Sequence, residues 1–164
     1  MDGRDMMKSN EELLSRRLPL WLCPYHSTDL DRIFTDYFKP AAKNAGFNLV
    51  RLDEDPVAGL IDDRLRVEIQ NARFLVADLT GKNAGAYWEA GFAEGLGRPV
   101  IYTCEAQYFE EEKTHFDTNH HHTIQWDVAN ASEAAERLTA TIRATLPAEA
   151  KMVDDEPKRN LIYP

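Results

Sequence analysis

The sequence predicts an α/β fold: a flavodoxin-like (Rossmann-like) three-layer sandwich with a five-stranded parallel sheet in the order 2-1-3-4-5. Three observations predict it. Short apolar runs rich in branched residues, too short for helices, recur along the 164 residues. Between them lie longer segments whose apolar positions recur every three or four residues. Glycine and proline fall at the junctions. Strands that alternate with helices of this length pair in parallel, because the crossover helix returns the chain to the same edge.

The elements follow in order. Residues 1–17 are polar and read as an N-terminal extension; the domain itself spans 18–146. Pro19 to Cys23 is the first strand. Thr28 or Asp29 caps a helix with Leu30, Ile33, Phe34, Tyr37 and Phe38 on one face; Pro40 kinks or restarts it, and Gly46 stops it. Phe47 to Leu52 is the second strand, followed by the acidic loop Asp53-Glu54-Asp55-Pro56. Ile61, Leu65, Ile69 and Ala72 space as one helix face. The central strand is Phe74 to Ala77, with Asp78 at its end, and Thr80, Gly81, Asn83 and Gly85 supply the turn. A helix then runs from Ala84 to Gly97, and Pro99 to Cys104 is the fourth strand. The polar stretch 105–119 reads as a lid or functional loop. His121 to Trp126 is the fifth strand, and Ser132 caps a last helix through Leu138, Ile142 and Leu146. Residues 147–164 form a polar tail ending Leu161-Ile162-Tyr163-Pro164.

Composition narrows the function. A formal net charge of −9 with no basic stripe argues against binding a nucleic-acid duplex through its backbone. No run approaches a membrane span, and the charged N-terminus has no apolar signal core. Cys23 and Cys104 lie in strands as buried free thiols, without a disulfide or zinc spacing, which points to the cytoplasm. No GxGxxG follows the first strand and no Walker A sequence occurs, so neither a Rossmann dinucleotide nor a P-loop nucleotide is expected, and no cofactor is called for. His115, Asp117 and His120 to His122 form the one histidine cluster, but adjacent strand residues point to opposite faces and do not share an ion. No metal is expected.

In open α/β sheets ligands collect at the carboxyl ends of the strands, at the point where strand order reverses. With the order 2-1-3-4-5 that point lies between strands one and three. Tyr25, Asp55, Asp78, Asn83 and Glu89 converge there by topology. A carboxylate at such a place acts as a nucleophile, with a second to orient it or donate a proton. The bland alternative for Glu89 is an exposed acid near a helix N-terminus that favours acids.

The stretch Asp78-Leu79-Thr80-Gly81 with Asn83, then Tyr87-Trp88-Glu89-Ala90-Gly91, then Gly97-Arg98-Pro99-Val100, resembles the core of the nucleoside 2-deoxyribosyltransferase-like superfamily. Pro24-Tyr25, Lys39-Pro40-Ala41-Ala42, Ala45-Gly46-Phe47 and Asp53-Glu54-Asp55 fit in the same order, so the resemblance covers about 18–146. It implies cleavage or transfer at the N-glycosidic bond of a nucleoside or nucleotide. Glu89 would attack C1′ and expel the base, leaving a glycosyl-enzyme that a second base or water resolves. Asp78 and Asp62 would be the further catalytic carboxylates, Asp62 standing one turn before Leu65, where the family has its base-contacting acid. Tyr25, Asp55, Gly81, Asn83 and Tyr87 would contact substrate. Asn83 departs from the acid that some members place there, and Trp88 is bulkier than is common. The resemblance also implies a homodimer or larger homo-oligomer, with the Leu161-Ile162-Tyr163 tail completing a neighbour's pocket or packing on its own domain. Two other readings stay open: a nucleotide-sensing module that keeps the pocket without turnover, and a TIR-like NAD glycohydrolase.

Overall fold

The computed structural model describes residues 18–22, 27–51, 61–112 and 122–154. Five strands form one parallel sheet in the order β2-β1-β3-β4-β5. They are β1 (Leu20–Leu22), β2 (Val50–Arg51), β3 (Leu75–Asp78), β4 (Val100–Glu105) and β5 (Thr123–Trp126). Leu20 pairs with Val50 on one side and Leu75 on the other, and Asp78 is in register with Thr103. The central strands are buried on both faces, which is why their runs are continuously apolar rather than alternating.

Alternation along each strand divides the core in two. Trp21, Val76, Ile101, Ile124 and Trp126 face one side. There they meet α1 (Thr28–Ile33), α2 (Lys39–Asn44) and α6 (Ala131–Thr145). Leu20, Leu22, Leu75, Ala77 and Tyr102 face the other side, covered by α3 (Ile61–Asn71) and α4 (Ala84–Gly95). This is the three-layer sandwich that the periodicities predict. No helix among the described residues is long and apolar enough to cross a membrane.

The departures from expectation have local causes. The helix cap is Ser27, whose hydroxyl accepts from Leu30 N, rather than Thr28 or Asp29. Between α1 and α2 the turn Phe34–Phe38 is a π-helix, and Lys39 N donates to Phe34 O. Pro40 has no N–H to give to the carbonyl one turn back, so the wider turn lets the helix run on through the proline that was expected to kink or restart it. The second strand begins at Val50 rather than at Phe47, and Leu52 lies outside the described residues. Phe47 N closes the end of α2 on Ala42 O at 2.9 Å, with Gly46 at φ +90°, and only Val50–Arg51 pair among the described residues. The segment read as a lid after the fourth strand begins as a helix, α5 (Ala106–Glu112). The last helix starts at Ala131 after Asn130, whose backbone N–H is held by Asp127 at 2.7 Å, so Ser132 lies inside it.

Beyond α6, residues 147–154 return to the domain. Ala150 is buried in the first core, Lys151 N donates to Ala45 O at 2.8 Å, and Arg73 pairs with Glu149. Gly46 sits under this return: a β-carbon there would lie 3.2 Å from that of Lys151, on a backbone with φ +90°. Gly46→Ala is therefore expected to destabilise the fold by about 1–2 kcal/mol, read as a lower urea midpoint with an unchanged slope.

Candidate functional site

The loops after β1 and β2 lie outside the described residues, and with them Tyr25 and Asp55. Asp62 is the second residue of α3, and its side chain is likewise outside them. What is described at the carboxyl end of the sheet is the connection from β3 to α4, the first turns of α4 and the end of β4.

That connection is built on Asp78. Its carboxylate is fully buried and accepts three hydrogen bonds. Thr80 N donates to Oδ1 at 3.0 Å, while Thr103 Oγ1 and Trp126 Nε1 each donate to Oδ2 at 2.7 Å. The side chain thus joins the ends of β3, β4 and β5. Burial pushes the Asp78 carboxyl up, and the donors from Thr80, Thr103 and Trp126 pull against it. The next link is Thr80, whose Oγ1 accepts from Glu105 N at 2.9 Å. Leu79 N donates to Thr103 O at 2.9 Å, so the chain leaves β3 tied to β4 on both sides of the turn.

After Thr80 the backbone turns left-handed at Gly81 (φ +77°) and again at Lys82 (φ +49°). Glycine suits the first; lysine is in a conformation that L residues seldom adopt. Gly81 is exposed, and this turn aims Asn83 at the helix. Asn83 caps α4: its side-chain oxygen accepts from Gly85 N at 2.9 Å. Its amide oxygen is thereby committed to the helix start.

Glu89 lies one turn further on, half-buried. Its Oε1 would be 3.9 Å from a β-carbon at Gly85, and Asn83 Oδ1 would be 3.1 Å from the same point. The carboxylate therefore leans back over the start of α4, beside the Asn83 amide, and the missing side chain of Gly85 keeps the space between them open. Desolvation by burial raises Glu89 from 4.5 to about 7. No described residue hydrogen-bonds to it. Tyr87, half-buried, packs its ring against the second core.

Asp78 and Glu89 are not brought together. Asp78 shares the sheet face of Val76 and Trp126, whereas α4 covers the opposite face. With no exposed surface, Asp78 acts on Glu89 only through the turn it anchors. Sequence reasoning missed its partners Thr103 and Trp126. The available signal was register: polar residues at the ends of neighbouring parallel strands, beside an acid at the end of the central one. Cys104, buried, has its thiol pushed up to about 12 by burial and is no nucleophile. Of the histidine cluster, His122 is exposed and the rest lies outside the described residues. A groove of about 560 Å³ between α2 and α6, lined by Tyr37, Glu136 and Arg143 among others, lies on the face of the sheet away from Glu89.

Two outcomes test this geometry. An amide at position 78 has one oxygen for three donors, so Asp78→Asn is expected to cost about 1–3 kcal/mol in chemical denaturation. Glu89 binds its proton more tightly folded than unfolded, so its ionisation opposes folding. That opposition is absent below about pH 4.5, grows as the pH rises to about 7 and is complete above it. Glu89→Gln should accordingly raise the melting temperature at alkaline pH and lose that advantage as the medium becomes acidic.

No protein-family model matches the chain, and no curated protein matches it either. Among solved structures, a 2-desoxiribosyltransferase from Leishmania mexicana is similar at 15% identity and a TM-score of 0.44, over 54% of this chain and 64% of that one.

Proposed function

We propose that the protein cleaves or transfers the N-glycosidic bond of a nucleoside or nucleotide, with Glu89 as the nucleophile. One observation supports this reading above the others. Glu89 is a half-buried carboxylate at the carboxyl end of a parallel sheet, beside an opening over Gly85, and its proton is held to about pH 7. A carboxylate without donors of its own is a stronger nucleophile toward a developing oxocarbenium ion than one already saturated.

In the proposed reaction, Glu89 Oε attacks C1′ as the C1′–N bond breaks. The bonding pair leaves with the base, which takes a proton, and an acylal ester joins Glu89 to the sugar. Water or a second base then attacks C1′ and frees the carboxylate. Asp78 serves as a positioning group, holding the turn that sets Asn83 and hence the start of α4. Tyr25, Asp55, Gly81, Asn83 and Tyr87 are the proposed substrate contacts, and Asp62 the proposed partner of the base. The domain at 18–146 would carry the whole site.

A second reading has one observation in its favour. Asn83 stands where an orienting acid would be, and its oxygen is engaged by Gly85 N. A pocket that binds a nucleotide without turning it over is consistent with that substitution.

Base release from a panel of nucleosides, their monophosphates and NAD, followed by chromatography, separates the two. The expected result is release that rises with pH through about 7, as Glu89 ionises, and that Glu89→Gln lowers by about a thousandfold or more. Ligand-induced stabilisation without any release would favour the binding module.

A further inference from the structure

The helices over the first core leave a groove between them. Thr139 Oγ1 donates to Ala41 O at 3.0 Å and Arg143 Nη2 to Asn44 O at 3.2 Å, so α2 and α6 lie side by side and run in the same direction. Small residues floor the gap, among them Ala41 and Ala135, and leave a volume of about 560 Å³ above them. Its walls run from Asp36 to Asn44 on one side and from Ser132 to Arg143 on the other, about 12 and about 16 Å at the rise of a helix.

The walls are acidic. Among the described residues that line the groove Arg143 is the only cation, and it is already committed. Its Nε donates to Lys151 O and its Nη2 to Asp154 Oδ1, each at 2.6 Å. Further along, Asp36 and Glu136 stand exposed on opposite walls, and Arg32 reaches Asp36 only at 3.9 Å. The bond from Arg143 also fixes where the chain leaves the described residues, because Asp154 is itself part of the lining. Residues 155–164 lie outside the described residues. They begin Asp155-Glu156-Pro157, continue with the cations Lys158 and Arg159, and carry the apolar triplet Leu161-Ile162-Tyr163.

We propose that residues 155–164 lie along this groove of their own chain, with Lys158 and Arg159 against Glu136 and Asp36. The point of entry fits, since Asp154 delivers the segment into the groove at the Arg143 end. The reach fits as well. Glu136 precedes Arg143 by seven residues and Asp36 precedes Asn44 by eight, which places them about 10 and about 12 Å along the groove. An extended chain covers that distance in about four residues, the separation of Lys158 from Asp154. Charge is complementary: the two cations arrive where the walls present two carboxylates, and no acid follows Glu156. The apolar triplet then falls at the far end, beside the half-buried Tyr37 and Ala135. Exposed ion pairs are weak singly, but a tethered segment docks at a high effective concentration. This placement holds the tail on the face of the sheet away from Glu89, so it does not complete a neighbour's pocket. It does not depend on the reaction assigned to Glu89.

Carbodiimide cross-linking of the full chain, with unlabelled and nitrogen-15-labelled copies mixed, tests it. The reagent joins Lys158 to a carboxylate it touches, and mass spectrometry reads the partner and whether both halves carry the same isotope. The expected product joins Lys158 to Glu136 or Asp36 within one chain. Trypsin supplies a second measurement, since its cleavage after Lys158 and Arg159 follows the population of undocked tail. Glu136→Lys is expected to speed cleavage at these bonds by at least about threefold, and Glu133→Lys to leave it unchanged. The second variant makes the same charge change on the same helix outside the groove, where Glu133 pairs with Arg137. Both positions are exposed, so the fold is kept, verified by circular dichroism. Links between copies of different isotope would give the groove to a neighbour's tail and overturn the proposal. Links from Lys158 scattered over carboxylates outside the groove would overturn it too, as would cleavage that Glu136→Lys leaves unchanged or that Glu133→Lys speeds equally.

Discussion

The carboxylate of Asp78 is the interaction on which the carboxyl end of this sheet depends. Three parallel strands end side by side there, and parallel strands leave their terminal groups without a hairpin to organise them. Asp78 supplies the organisation. Thr103 and Trp126 reach one oxygen from β4 and β5, and Thr80 N reaches the other from the turn that follows. An ionised carboxylate offers about four acceptor sites with no donor of its own, so it serves three donors at once where an amide does not. Burial raises the cost of its charge, and the three donors offset that cost.

The consequences propagate along the chain in a definite order. A fixed Thr80 ties Glu105 N, the left-handed pair Gly81 and Lys82 turns the backbone, and Asn83 closes the first turn of α4 on Gly85 N. Glu89 then stands one turn along a helix whose start is set by the sheet rather than by a mobile loop. Alanines on its inner face let α4 lie close against Ala77 and Leu79, and this closeness removes water from Glu89. A carboxylate that lacks hydrogen-bond donors among the described residues and titrates near neutrality is costly to a fold, and sites where such groups are kept are candidates for chemistry.

The same helix illustrates how one element answers to several surroundings. Its inner side meets the sheet, its start carries the candidate nucleophile, and its outer side carries Trp88 stacked on Phe92. The helix α6 is polar outside, with Glu133, Glu136 and Arg137 exposed opposite a core of Ala134, Leu138 and Ile142. By comparison α4 carries only two charged residues, Glu89 and the exposed Glu94.

Much of this was determined by the sequence alone. Periodicity and punctuation located the five strands, because a buried parallel strand must be continuously apolar and a crossover helix must be amphipathic, and the flavodoxin-like layout expected of five such strands supplied their order. Asp78 at a strand end, Asn83 before a helix and Glu89 within it were legible for the same reason: each follows from its position in a local pattern. What the sequence left undecided was whatever depends on atoms distant in the chain. That Thr103 and Trp126 would share one oxygen of Asp78 follows from strand register and rotamer. That Pro40 would be absorbed by a π-turn, and Phe47 drawn to a helix end instead of a strand, follows from which carbonyl each backbone donor pairs with in the folded chain. The separation of Asp78 from Glu89 onto opposite faces of the sheet is of the same kind. Local propensity selects the elements, whereas the pairing of buried polar groups is settled only when the strands lie side by side, since each donor must find its acceptor in three dimensions.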